Sequence, residues 1–121
     1  MTDEELEEAE VELVEQAIAR LHERMAVLFD KFSVEAADIG LDPDVILMVV
    51  LHTLTRFSAN TQGRLTISGV GFDDMLETMQ AAIDAGATDF QTFVDDLPED
   101  LQDKAFEMLQ GVVGRMKESL H

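Results

Sequence analysis

Carboxylates are the most abundant chemistry in this chain. Asp and Glu together number 26, and eight of them fall in the first fifteen positions with no basic residue among them. Such groups bind calcium when a loop offers oxygens at positions 1, 3 and 5, Gly at 6 and Glu at 12. The starts at Asp30, Asp38 and Asp96 all fail. From Asp30, positions 3 and 5 are Phe32 and Val34; from Asp38, position 6 is Pro43; from Asp96, position 3 is Pro98. Helical carboxylate sites need a Glu three residues before an inward His, but Ala19 and Val49 stand there before His22 and His52. The chain has no Cys, which removes thiolate metal sites, disulfides and Cys nucleophiles. Neither a metal nor a cofactor is expected.

Nucleophilic catalysis needs an activated hydroxyl or amine beside an oriented base. None of Ser33, Ser58, Ser68 and Ser119 sits in a G-x-S-x-G elbow. Gly69-Val70-Gly71 ahead of a helix lacks the third glycine and the lysine of a phosphate-binding loop. Asp73 and Asp74 in the first turn of that helix would repel a phosphate. His52 follows the most apolar run of the chain and reads as a histidine at the edge of the core. No enzyme is expected.

What remains is binding. Glu4, Glu8, Glu12 and Glu15 recur at spacings of 4, 4 and 3, one like-charged stripe along a helix. The stripe is either a contact surface for a basic partner or a solvated helix end. Beside it, Val11, Val14, Ile18, Leu21, Met25, Leu28 and Phe32 recur at 3, 4, 3, 4, 3 and 4, a heptad seam. That seam is longer than one small bundle needs, and it points to a homodimer through Val14, Ile18, Leu21 and Met25. A parallel zipper would set Glu10 against Glu15 of the other copy, so antiparallel or bundle-type packing is expected.

The elements that must carry these residues read as helices. Thr2 and Glu5 form a capping box for the first and longest one, whose acidic positions 1–10 are expected to overhang the body as an arm. Ser33 to Ile39, closed by Gly40, is a short helix or a bent continuation of the first. Asp42 and Pro43 supply an N-cap and a first helical residue. The helix they open, Pro43 to Phe57, is apolar on every side through Leu51 and is expected at the centre. The following segment "SANTQGRLTISGVGF" is rich in glycine and polar turn formers and reads as irregular, with Arg64 to Ser68 alternating like a short strand. The helical period returns from Phe72 and is closed by Gly86. Thr88 and Gln91 form a second capping box for a two-turn helix, and Pro98 starts the last one. The internal methionines fall at apolar helical positions and are read as core. Gly111 and Gly114 inside the last helix call for the close approach of another helix. The fold class is therefore all-α, a single domain over residues 1–121 built as a bundle of five to six helices.

Composition narrows the partners. A 121-residue chain buries roughly two thirds of its unfolded surface, enough for one core. The net charge of −18 opposes phosphate backbones and anionic membranes, so no direct nucleic acid and no membrane contact are expected. The longest apolar run, Val45 to Leu51, spans seven residues, far short of the ~20 that cross a bilayer. The acidic start does not resemble a secretory signal, and a cytoplasmic protein is expected. The function read from these features is that of a small acidic regulatory or adaptor protein, homo-oligomeric, binding another protein for which a basic surface suits the charge. Two alternatives use the same acidity: an inhibitor that imitates nucleic acid, or a helical domain adapted to a salty environment.

Overall fold

The computed structural model describes residues 2–120. They form four helices: α1 (Asp3–Asp38), α2 (Pro43–Ile67), α3 (Phe72–Asp95) and α4 (Glu99–Ser119). There is no strand among the described residues. The all-α class holds, but the five to six helices expected from sequence are four longer ones.

Each difference has a local cause. Ser33 to Ile39 is a continuation of α1, which runs unbroken to Asp38. There the amide of Gly40 donates to the Ala37 carbonyl and that of Leu41 to Ala36, both at 3.0 Å. This is a Schellman closure, and Gly40 takes the φ of +98° it requires. The same closure recurs at the end of α2, where Gly69 (φ +91°) and Val70 donate to Thr66 and Leu65. Arg64 to Ser68 is thus not a strand; α2 passes through Gly63 and runs to Ile67. A lone strand leaves its backbone groups unpaired, whereas a helix pairs them within itself. Gly86 does not end α3, and Thr88 caps nothing. Its hydroxyl donates to the Asp84 carbonyl one turn back at 3.1 Å, and Gln91 reaches the Asp95 carboxylate at 3.0 Å. Thr hydroxyls that bond back in this way remain inside a helix. The N-terminal capping box is present, with Glu5 N to Thr2 Oγ1 and Thr2 N to Glu5 Oε2 both at 3.3 Å.

The chain divides between Ser58 and Ala59, inside α2, into two compact units. In the first unit only Ala36 and Ile46 are buried among the described residues. The half-buried positions Met25, Phe29 and Phe32 lead to Ala36 at spacings of 4, 3 and 4, and Val50 and Thr53 follow Ile46 at 4 and 3. One face of each helix is therefore shaded toward the turn between them. In the second unit α3 and α4 pack against each other. Lys117 pairs with Asp84 at 2.6 Å, while Gln102 Nε2 donates to the carbonyls of Asp95 and Leu97 at 3.0 and 2.6 Å. Contacts between 84 and 117 and between 95 and 102 make the pair antiparallel. Its buried residues are Met75 and Val94.

The Pro43–Phe57 stretch is not the buried centre of this chain. Leu47 is 67% exposed, Met48 64% and Leu51 58%.

Candidate protein-binding face

The residues proposed for binding all lie on α1. Thirty-six residues at 1.5 Å each make a helix of about 54 Å, and from Asp3 to Arg24 they are exposed without a break. The capping box and the acidic first turn (Asp3, Glu4, Glu5) start it favourably at the positive end of its dipole.

Glu4, Glu8, Glu12 and Glu15 are all exposed. With Glu7 and Val11 they line one open hollow along the helix surface. A second hollow, lined by Arg20, Glu23, Arg24 and Val27, lies further along the same helix. The anionic stretch is therefore followed by a cationic one. Val14 (56%), Ile18 (63%) and Leu21 (60%) are exposed beside them, and Met25 is half-buried. The structure thus places all eight residues along one helix, the first seven of them exposed.

Among the described residues no three His, Asp or Glu side chains converge as a metal site requires. His52 is exposed, so the core-edge position expected for it is not the one it occupies. At the start of α3, Gly71 makes no side-chain cap, and a Cβ there would meet the Asp74 carboxylate at 3.8 Å. A phosphate approaching that helix end would meet a carboxylate first.

Sequence reasoning placed several residues in a core where the structure leaves them open. Of the methionines read as core, Met75 is buried and Met25 and Met79 are half-buried, while Met48, Met108 and Met116 are exposed. Gly111 and Gly114 meet no neighbouring helix among the described residues: a Cβ at Gly114 would meet nothing within 4 Å, and one at Gly111 only the Arg115 guanidinium at 3.8 Å. The apolar faces of α2 were legible as apolar, but no signal in the sequence says whether such a face meets its own chain or another. No helix is long and apolar enough to cross a membrane among the described residues. No protein-family model matches the chain, and the searches of curated proteins and of solved structures found no similar one.

Proposed function

We propose that this is a small acidic adaptor or regulatory protein of the cytoplasm that acts by protein–protein binding, as a homodimer, and not as an enzyme. The observation that carries this reading is the open seam of α1, where Val14, Ile18 and Leu21 are 56–63% exposed at heptad spacing. Apolar side chains in such a row lose solvation free energy until something covers them. The carboxylates alongside keep the face soluble and speed encounter with a basic partner. The partners proposed are a second copy and a further protein with a basic surface. Nucleic acid and membrane are not among them, because the charge opposes both.

Sedimentation of the wild-type chain tests the dimer directly: a monomer at high micromolar concentration would remove it. A pull-down at low and at high salt then tests the second partner. Binding through an apolar groove tolerates salt, whereas binding through charge is lost with it. The exposed stripe Glu4, Glu8, Glu12 and Glu15 favours a second reading, an inhibitor that imitates nucleic acid. Capture of basic nucleic-acid-binding proteins with steep salt dependence would select that reading.

A further inference from the structure

We infer that the open seam of α1 is covered by the same stretch of a second copy, laid antiparallel about a twofold axis at Gln16. The inference rests on the homodimer reading and gives it an occupant and a register. The seam is divided by its exposure. Toward the turn it is shaded in part: Met25 and Phe32 are half-buried and Ala36 beyond them is buried, while Leu28 between them is 61% exposed. Above Met25 it is open: Val11 is 57% exposed, Val14 56%, Ile18 63% and Leu21 60%. These four recur at 3, 4 and 3, a spacing that reads the same in both directions. A reversed copy centred on Gln16 therefore sets Val11 against the partner's Leu21 and Val14 against the partner's Ile18, each pair made twice.

Charge selects the direction. Residues 3–15 carry eight carboxylates and no basic group. In a parallel pair this segment lies on its own copy. In the antiparallel register it lies on residues 17–29, whose charged groups up to Phe29 are Arg20, Glu23 and Arg24, a net +1. Glu10 falls level with position 22 of the other copy, between the partner's Arg20 and the partner's Arg24. All three lie on one flank of the seam, and antiparallel helices bring like flanks together. The opposite flank sets Glu8 and Glu12 against the partner's Ala19, His22 and Ala26, and it carries one like-charged contact, Glu15 beside the partner's Glu15 next to the axis. A patch that serves both copies closes at two, so the assembly does not propagate.

Because the chain contains no cysteine, introduced thiols report contacts without background. Val11→Cys chains mixed with Leu21→Cys chains should form a disulfide under mild oxidation, and so should Val14→Cys with Ile18→Cys. Leu21→Cys should not pair with itself, since the two positions lie ten residues, about 15 Å, apart along the axis. As a readout independent of oxidation, Arg24→Glu should weaken self-association about 5-fold at low salt, and Glu10→Arg in the same chain should restore it. Circular dichroism of each variant confirms that it is folded. Self-linked Leu21→Cys would establish a parallel pair and overturn the inference. So would linkage of Leu21→Cys only with Ile18→Cys, which is another register. A dimer in which no α1 pair cross-links would place the contact elsewhere, on α2 for example, and would overturn the inference while leaving the homodimer standing. A wild-type chain that sediments as a monomer would overturn the homodimer and the inference together.

Discussion

Seven glycines stand in the chain, and two of them are held by backbone conformation. Gly40 and Gly69 adopt φ of +98° and +91°, where a Cβ crowds the following carbonyl. Gly40→Ala or Gly69→Ala should each destabilise by about 1–2 kcal/mol in a chemical melt. Gly86, Gly111 and Gly114 are helical and a Cβ there would find open space or an ordinary contact. Their replacement by Ala should stabilise by about 0.5–1 kcal/mol each. A loss on Gly111→Ala or Gly114→Ala would mean that a helix of another molecule packs on that face of α4. The carboxylate stripe makes a second prediction at this scale. Glu8 lies four residues from both Glu4 and Glu12, and each like-charged pair costs a helix about 0.2–0.5 kcal/mol at low salt. Glu8→Lys turns both into attractive pairs, so its melting temperature should exceed the wild type's at low salt and converge with it as salt is added.

Helices of 21 to 36 residues are longer than a small bundle of this mass requires. For α1 the consequence is a division of labour along its length. Residues 2–10 contribute only Leu6 and Ala9 as apolar groups, and Leu6 is 51% exposed. Deleting them should leave the melting temperature within a few degrees at moderate salt, since little apolar area is lost. If the arm meets a basic partner, deletion should slow association with it. A large drop in melting temperature would show that Leu6 and Ala9 are docked after all. The middle of α1 behaves differently. Ile18→Glu with Met25→Glu places carboxylates in the seam, and sedimentation should then return a monomer or circular dichroism an unfolded chain. A folded dimer of this variant would show that the seam is not the contact.

Among the described residues each of the two units closes over two buried side chains, and a hydrophobic core that small offsets little of the entropy lost on ordering the chain. The helices are paired in their own hydrogen bonds, yet many of their apolar side chains remain in water. The stability of such a chain should therefore follow its own concentration. Helicity should fall on dilution, and the melting temperature should rise as protein is added, as for an obligate oligomer. A melting temperature independent of concentration would mean that one chain covers its own faces. Salt should act in the same direction as concentration, because a net charge of −18 repels each copy from the next until it is screened.

Local rules were written plainly in the sequence. The capping box of Thr2 and Glu5, the start of α2 at Pro43 and the glycine stop at Gly40 all depend on residues within one turn of each other, and each stands in the structure where it was read. So does the all-helical class, because a 3.6-residue period is a property of one segment. Other features needed more than one segment. Gly63 and Gly86 are breakers by propensity, at about 1 kcal/mol, but the helices on either side of each carry through. The strand-like pattern at Arg64 to Ser68 had no partner strand and became helix. The candidate stripe and seam were legible as faces of α1, because spacing along one helix is enough to define a face. What covers a face was not legible. Val45 to Leu51 reads the same whether it is buried by its own chain or by another, since apolar periodicity records the need for cover and not its source. Only the tertiary structure shows that α1 above Met25 and the faces of α2 at Leu47, Met48 and Leu51 are left open in the single chain.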